Sequence, residues 1–404
     1  MTTLSVGAVL RRFLSAFLER YKIPSRVIDT FKRLSRCHTG QLGWSLMQCE
    51  GCSQLHWTPN GCGDRHCPDC STRQRELWLK KQRTDLLPVR YYHWVFTLPS
   101  HIRSLALQNQ KLLYTLLFDS AAKTLLEFGL RQFNAQIGLT ALLHTWGQNL
   151  MNHPHLHCLV TGGGLTSDLK WAGPKQSRFL FPVHAVAAMF AAKFIHGLAQ
   201  LKSEGKLRFH GKIQNLGHPL AWAQLLHQLG QRKWIVFAKG SVVGPDALLE
   251  YLGRYTHRVA ITNSRILKIQ HDTVTFRYKN YRKTGQVESL TLSGVEFLRR
   301  LSLHILPPGF TKVRHYGLLG NNRRKKSLIL ARAALASSPH RMERSPVEVK
   351  PVPAWLPTPC DRCGALEQLC VGRTDSQGKF SGMIKGAMRL RFKAGDTPRI
   401  LNSS

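Results

Sequence analysis

Hydrophobic residues recur at helical spacing in several long segments of the chain. Near the beginning, Val9, Phe13 and Phe17 repeat every three or four residues, which predicts an amphipathic helix. Pro24 is placed to begin a second helix within residues 6–35. The same spacing predicts further helices over residues 71–87, 101–130, 183–203, 244–256 and 293–303.

Other segments are short runs of aromatic and β-branched residues bounded by glycine or proline, which is typical of strands. The run from Tyr91 to Leu98 ends at Pro99. Helices and strands are mixed without strict alternation, so the fold class predicted is α+β with an antiparallel sheet. The remaining predicted strands cover residues 136–147, 155–161, 234–237, 261–269, 272–279 and 286–292.

The pattern divides the chain into three parts. Residues 1–87 combine helices with a cysteine-rich module, and residues 88–320 carry most of the predicted strands. Residues 321–404 hold a basic segment, a proline-rich linker at 345–359 and a partial cysteine knuckle. We therefore expect an N-terminal module, a central domain and a C-terminal extension.

Charge narrows the possible partners. The chain has 404 residues, and Lys and Arg number 58 against 22 Asp and Glu, a formal net charge of +36. So basic a chain favours a polyanion, with nucleic acid ahead of an anionic membrane. No apolar run reaches the length of about 18 residues that a membrane span needs, and no secretion signal is evident, so we expect a cytoplasmic protein.

Two classes of enzyme are disfavoured by what the sequence lacks. A nuclease that holds two metal ions with a cluster of carboxylates needs several well-placed acids, but here they are few and scattered. A nucleotide-driven motor would carry the glycine-rich phosphate loop that ends in Gly-Lys-Ser or Gly-Lys-Thr, and this motif is absent from the sequence.

Cysteine spacing predicts a structural zinc ion. Cys49 and Cys52 form one C-x-x-C turn, and Cys67 and Cys70 form another, so we expect these four thiolates to complete one tetrahedral site. Four neighbours could form a second site, substitute in the first, or be ordinary buried thiols and polar histidines: Cys37, His38, Cys62 and His66.

Cys360 and Cys363 resemble half of a zinc knuckle near the end of the chain, with Cys370 further on. Obvious partners for this half-knuckle are missing from the tail. We therefore expect no metal ion to bind there.

Histidines are concentrated in the run from His153 to His157. Side chains alternate along a strand, so His155 and His157 share one face and could bind one divalent metal ion. The alternative is a histidine-rich strand without a ligand. His153 shares that face, but Pro154 is expected to mark the start of the strand, which places His153 at the rim.

Tyr251 and Tyr255 are four residues apart and would lie on one face of the helix predicted over 244–256. They could simply pack on a sheet. However, Arg254, His257 and Arg258 place cations in the same turn, which would lower the pKa of a phenol and attract a phosphate. Together with a metal ion held by histidines, this set suits transesterification of a DNA phosphodiester.

A resemblance to a known family becomes specific at these motifs. His155-Leu156-His157 resembles the HUH signature, and Tyr251 with Tyr255 resembles the paired nucleophiles of two-tyrosine rolling-circle enzymes. With Arg65-His66-Cys67-Pro68-Asp69-Cys70, the arrangement resembles the IS91 family of bacterial insertion-sequence transposases. The resemblance extends over about residues 10–330.

The resemblance implies rolling-circle transposition, in which single-stranded DNA is nicked and rejoined at element ends through a 5′-phosphotyrosine. It implies Mg²⁺ or Mn²⁺ at the histidines, which lie on the central strand of an antiparallel sheet, and tyrosines on a facing helix. Arg254 is expected to stabilise phenolate and phosphate charge. The partners implied are single-stranded DNA at the ends and target DNA, in the nucleoid of a bacterial cell.

Some assignments stay open. The third metal ligand could be Gln148, His257 or His144. The same chemistry would also serve a plasmid replication initiator or a relaxase, and a non-catalytic zinc protein that binds DNA would have the same charge. Candidate DNA-binding residues are the basic side chains Arg73, Lys80, Arg258, Arg323, Arg324, Lys325 and Lys326.

Overall fold

The structure is a computed structural model. Both tyrosines of the predicted pair, together with Arg254, His257 and Arg258, lie outside the residues that it describes. These described residues are 4–174, 180–242, 253, 259–283, 285–336, 338–340, 360–365, 368–382, 390–391 and 399–400.

Helices flank the sheets in the described part of the chain. They are α1 (Val6–Arg20), α2 (Ser25–Ser35), α3 (Pro68–Arg83), α4 (Arg103–Gln108), α5 (Gln110–Phe133), α6 (Val183–Ser203), α7 (Pro219–Gln231), α8 (Gly294–Ser302) and α9 (Arg324–Ala336). Short 3-10 helices occur at Ser100–Ile102, Gly211–Gly217, Asn263–Arg265 and Tyr281–Lys283.

The strands of the described residues belong to four antiparallel sheets. They are β1 (Trp44–Cys49), β2 (Leu55–Pro59), β3 (Tyr91–Thr97), β4 (Ala135–Trp146), β5 (Asn152–Thr166), β6 (Trp171–Ala172), β7 (Val236–Val242), β8 (Ile266–Gln270), β9 (Thr273–Asn280), β10 (Gln286–Ser293), β11 (Val313–Gly317), β12 (Gln368–Thr374), β13 (Phe380–Gly382), β14 (Leu390–Arg391) and β15 (Arg399–Ile400). Mixed helices and antiparallel sheets confirm the predicted α+β class.

Local chemistry explains where several helices begin and end. The hydroxyl of Ser5 accepts a hydrogen bond from the backbone N–H of Ala8 and so caps the start of α1. The helix predicted over 101–130 is instead two helices, because Asn109 interrupts it. Its side-chain amide donates to the carbonyls of Leu105 and Arg208, and its φ of −123° is not helical.

The central sheet has the strand order β11-β4-β5-β3-β7, and β6 pairs with the end of β5. Its inner strands are buried almost throughout, because helices cover both faces. One face packs against α5 and α6 through residues such as Trp94 and Leu156. The other packs against α9 and α3 through residues such as Leu142 and Leu159.

A second, four-stranded sheet has the order β13-β12-β1-β2. Cys49 at the end of β1 is paired with Gln368 at the start of β12. The C-terminal part of the chain thus completes the sheet of the N-terminal cysteine module.

A third sheet, β10-β9-β8, packs with α1, α2 and α8 around Phe276 and Phe297. Among the described helices, none combines the length and apolar character needed to cross a membrane.

Candidate active site and metal centres

Three histidines meet on the face of the central sheet that packs against α9. The register places His144 on β4 directly opposite His155 on β5, and His157 lies two residues further along β5. One ligand nitrogen from each ring lies within 4.8 Å of those from the other two. Three imidazoles at this separation can bind a single divalent ion.

Further contacts orient two of these rings. The Nδ1 atom of His155 lies 2.7 Å from the carbonyl oxygen of His153, to which it can donate. The Nδ1 atom of His157 lies 2.9 Å from the Nε2 atom of His93 on β3, and the two rings are stacked with centroids 5.1 Å apart. Because both contacts engage Nδ1, they favour metal coordination through Nε2.

Burial keeps His155 and His93 neutral. It lowers the pKa of His155 to about 4, and burial with the nearby charge of Lys239 lowers the pKa of His93 to about 3. A neutral imidazole retains a nitrogen lone pair, and an imidazolium does not. The site therefore suits a metal ion near neutral pH without displacement of protons from these rings.

His153 stands apart from the three-histidine cluster. The guanidinium of Arg103 donates to its Nδ1 atom at 3.0 Å. β5 begins at Asn152, so the expectation that Pro154 marks the start of the strand is wrong by two residues. His153 nevertheless lies outside the group of mutually close ligand atoms, as its position at the rim implied.

The structure brings His144 to the two histidines of the motif. Gln148, another candidate for the third ligand, lies beyond the end of β4 in the turn that leads to β5, and its carbonyl accepts from the guanidinium of Arg265. His257 falls outside the described residues.

An exposed aromatic side chain lies on the edge strand of this sheet. Phe237 on the edge strand β7 pairs with Val95 on β3, which pairs in turn with His157. Paired side chains share a face, so Phe237, which is 56% exposed, lies on the histidine side of the sheet. The exposed ring thus lies two strands away from His157, on the same side of the sheet.

Gly253, between the two tyrosines in sequence, is helical and buried. A Cβ atom placed on it would lie 3.2 Å from Cδ1 of Leu79 on α3. Gly253 therefore lies against α3.

Four cysteines form one compact cluster beside α3: Cys37, Cys62, Cys67 and Cys70. The Cys37 sulfur lies 3.6 Å from the sulfurs of both Cys67 and Cys70, and Cys62 lies 3.8 Å from Cys70. These separations are far above the 2.05 Å of a disulfide and suit thiolates arranged around one zinc ion.

A second cluster joins distant parts of the chain: Cys49, Cys52, Cys360 and Cys363. The predicted grouping of Cys49 and Cys52 with Cys67 and Cys70 in one site is therefore wrong. The reason is that β1 delivers the first pair to the start of β12, whereas the second pair lies at the start of α3.

The partners that the tail does not supply to the C-terminal half-knuckle come from the N-terminal module, as Cys49 and Cys52, which removes the reason for expecting no metal ion there. His66 belongs to neither cluster. Its Nδ1 atom lies 2.8 Å from the carboxylate of Asp64, and its Nε2 atom accepts from the backbone N–H of Leu306. Cys370 lies on β12 outside the cluster.

The candidate DNA-binding residues at the start of α9 differ in their surroundings. Arg323, Lys325 and Lys326 are exposed. Arg324 instead forms an ion pair with Asp85 at 2.6 Å and donates to the Gln82 side chain at 3.0 Å. The side chains of Arg73 and Lys80 on α3, and the whole of Arg258, are outside the described part.

Comparison with known proteins agrees with these features. Residues 9–98 match a family described as a transposase zinc-binding domain, and residues 138–327 match one described as “Putative transposase”. The family matches thus cover the first cysteine cluster, most of β4, all of β5 and the segment of the tyrosine pair.

Two curated relatives extend this match. A protein of Sinorhizobium fredii strain NGR234 named “Putative transposase y4qJ” is 41% identical over 79% of this chain and 82% of its own length. The transposase for insertion sequence element IS801 of Pseudomonas savastanoi pv. phaseolicola is 28% identical over 73% of this chain and 70% of its own. No solved structure matches.

This chain is therefore a transposase, a class of proteins that act on DNA strands. The chain belongs to the IS91 family of insertion-sequence transposases, and its N-terminal region is a zinc-binding domain.

Sequence reasoning missed His93 and the tail partners of Cys49 and Cys52. His93 had one usable signal, because a histidine within the apolar run Tyr91–Phe96 is a polar group that must find a partner when buried. The cysteine pairs had none beyond their matching C-x-x-C form, since only the register of β1 with β12 joins them.

Proposed function

We propose that this transposase nicks and rejoins single-stranded DNA at the ends of its insertion sequence by metal-assisted tyrosine transesterification. The observation that carries the proposal is the cluster of His144, His155 and His157 on two adjacent strands. Their ligand nitrogens lie within 4.8 Å of one another, and further contacts orient His155 and His157, which supports a metal site on this face of the sheet.

Mg²⁺ or Mn²⁺ is the ion proposed for this site, with His144, His155 and His157 as protein ligands. When bound, such an ion polarises the scissile phosphate and stabilises the charge of the transition state. His93 acts on the site indirectly: its contact with Nδ1 of His157 holds that ring in position.

Tyr251 and Tyr255 are the proposed nucleophiles. The phenolate oxygen of one tyrosine attacks phosphorus, the bond from phosphorus to the 3′-oxygen breaks, and that oxygen leaves as a hydroxyl after gaining a proton. The phosphate is then esterified to tyrosine at the 5′ end of the cut strand. A 3′-hydroxyl reverses the same step to rejoin DNA, so no nucleotide cofactor is needed.

The position of Gly253 supports this assignment. It is buried against Leu79 of α3, and α3 packs against the histidine face of the central sheet through Trp78 and Leu79. Gly253, the described residue between the two tyrosines in sequence, thus lies near the histidine face of the sheet. Arg254 is proposed to stabilise the phenolate and the phosphate.

The proposed substrate is single-stranded DNA at the element ends, with target DNA as the second partner, in the nucleoid of the bacterial cytoplasm. A net charge of +36 provides the electrostatic attraction. Phe237, exposed beside the cluster, would stack on an unpaired base, which a duplex does not offer.

The test is formation of a covalent protein–DNA adduct. The wild-type chain is incubated with Mn²⁺ and a labelled single-stranded oligonucleotide that carries the element end, and the adduct is separated on a denaturing gel. We expect an adduct with the wild type and none with the Tyr251→Phe/Tyr255→Phe double variant. Tyr281→Phe, at a tyrosine that is 72% exposed in the short 3-10 helix between β9 and β10, is the control and should react normally.

Failure of the wild type to form an adduct, or an undiminished adduct in the double variant, would reject the proposed chemistry. The His155→Ala/His157→Ala variant separates cleavage from binding. It should form no adduct and still bind the oligonucleotide with nearly unchanged salt dependence. An equal loss of binding and cleavage would instead favour a zinc protein that binds DNA without cutting it.

A further inference from the structure

The two turns that carry the second cysteine cluster have the same backbone design. In the first, the N–H of Cys49 donates to the carbonyl of Gln54, and the N–H of Ser53 donates to that of Cys49. In the second, Cys360 donates to Ala365, and Gly364 donates to Cys360. Both turns thus pair the first cysteine with the same two positions, four and five residues later.

The turns also share their backbone conformation after the second cysteine. Ser53 has a φ of 60° and Gly364 a φ of 73°, so both residues adopt the left-handed conformation. Such a turn directs the two cysteine side chains toward one point, as in a zinc knuckle. A serine accepts this conformation only at a cost in free energy, which implies that surrounding structure holds it there.

The two turns lie at the same end of the four-stranded sheet. The first follows β1 directly, the second precedes β12, and these strands are paired. Their contact is close: a Cβ atom on Gly51 would lie 2.9 Å from the Cβ of Ala365 and 3.3 Å from the Cys363 sulfur. Only a glycine at position 51 lets the turns face each other at this distance.

The sulfur positions fit a metal ion and do not fit disulfides. Cys49 lies 3.5 Å from Cys363, and Cys52 lies 3.5 Å from Cys360. All four sulfurs lie within 4.8 Å of one another. A disulfide would bring two of them to about 2.05 Å, whereas zinc–sulfur bonds of about 2.3 Å in a tetrahedron place all four at nearly equal separations.

We propose that Cys49, Cys52, Cys360 and Cys363 bind a second structural zinc ion that fastens the C-terminal tail to the N-terminal module. The matched families cover residues 9–98 and 138–327, so the two tail ligands lie beyond both. The ion joins cysteines 308 positions apart in sequence, Cys52 and Cys360, and holds β12 against β1. In sequence, all strands of the central sheet lie between these two cysteines. This site is independent of the proposed cleavage chemistry.

The first experiment counts zinc. The full chain is purified under reducing conditions, and zinc per chain is measured by mass spectrometry of the metal. We expect two ions in the wild type, one in Cys360→Ser/Cys363→Ser and one in Cys37→Ser/Cys70→Ser. Cys370→Ser is the matched control and should keep two, because Cys370 lies on β12 outside the cluster.

Any one of three results would overturn the proposal: a single zinc ion in the wild type, two ions retained by Cys360→Ser/Cys363→Ser, or a disulfide between these cysteines in the native chain. A conservative variant guards against simple misfolding. Cys363→His keeps a zinc-binding side chain and should retain the second ion, with an unchanged circular dichroism spectrum.

The second experiment tests whether the zinc ion attaches the C-terminal tail to the N-terminal module. A protease site is inserted after residue 350, in the proline-rich segment, and the purified full chain is cleaved. We expect the C-terminal fragment to remain bound during gel filtration, and to separate in the Cys360→Ser/Cys363→Ser background. A fragment that separates equally from both proteins would contradict a zinc-dependent attachment. Neither experiment depends on DNA cleavage, so failure here is distinguishable from failure of the proposed activity.

Discussion

The Nε2 atom of His93 lies 2.9 Å from the Nδ1 atom of His157, and both side chains are buried. His157 belongs to the proposed metal site, whereas His93 comes from the neighbouring strand β3 and is not one of the three clustered ligands. The contact selects which His157 nitrogen can face a metal ion, because the other one is used in the hydrogen bond. We therefore assign His93 as a positioning residue.

Replacement of His93 should act mainly by weakening metal binding. His93→Phe keeps an aromatic ring but removes the partner of His157, and we expect about 10–100-fold weaker Mn²⁺ affinity. The measurement is the Mn²⁺ concentration that gives half-maximal adduct formation. His93→Gln can still form a hydrogen bond and should recover part of the loss.

The control for His93 is His153→Phe, since His153 is held by Arg103 at the rim of the same sheet. It should leave the Mn²⁺ dependence nearly unchanged. An activity loss in His93→Phe that high Mn²⁺ fails to restore would mean that the residue acts by some other route.

Two single substitutions can identify the third protein ligand of the metal ion. His144→Ala removes a ring that lies within 4.8 Å of both motif histidines, and we expect adduct formation to fall at least 100-fold at low Mn²⁺. Gln148→Ala should have a small effect, because Gln148 lies in the turn beyond β4. The opposite order of the two effects would transfer the role to Gln148.

Buried His304 should make stability sensitive to acid. Its Nε2 atom donates to the Leu150 carbonyl, its Nδ1 accepts from Thr145, and burial lowers its pKa to about 4. The unfolded pKa is about 6.5, so between these values the unfolded chain binds more protons. The contribution is therefore complete above about pH 6.5 and is lost as the pH falls toward 4.

This contribution can be measured by urea unfolding at about pH 7.5 and 5.5. One neutral buried histidine accounts for a loss of about 1 kcal/mol over that range. His304→Gln should be less stable than the wild type at the higher pH and should lose about 1 kcal/mol less on acidification. Equal losses in both proteins would show that His304 is not the group that titrates.

Exposed lysines at the start of α9 should contribute to DNA affinity. Lys325→Ala/Lys326→Ala removes two charges from the helix that packs on the histidine face, so we expect weaker binding and a smaller dependence on salt, by about 0.7 per lost phosphate contact. The measurement is fluorescence anisotropy with a labelled oligonucleotide at several salt concentrations.

The matched control for these lysines is Lys111→Ala/Lys123→Ala. This variant removes two exposed lysines from α5, which covers the opposite face of the sheet. If both double variants weaken binding equally, the effect is one of net charge and not of position. Arg324 is unsuitable for this test, because its ion pair with Asp85 makes it part of the fold.

Local patterns in the sequence predicted much of the fold. The helix over Val183–Ser203 and the strands β3, β4 and β9 follow their hydrophobic periodicity to within a few residues. Strands β1 and β12 were missed, because they are short, partly exposed and rich in polar residues, so their stability depends on pairing with each other.

The candidate sites likewise depend partly on local sequence patterns and partly on strand pairing. The sequence alone was enough to place His155 and His157 on one face, because strand alternation is a local property of the backbone. It also determined the strong positive charge and the presence of paired cysteines. The folded chain was needed to show that His144 and His93 join them, and that Cys49 and Cys52 meet Cys360 and Cys363. These groupings depend on which strands are neighbours and in what register, which is set by the packing of the whole chain and not by any local segment.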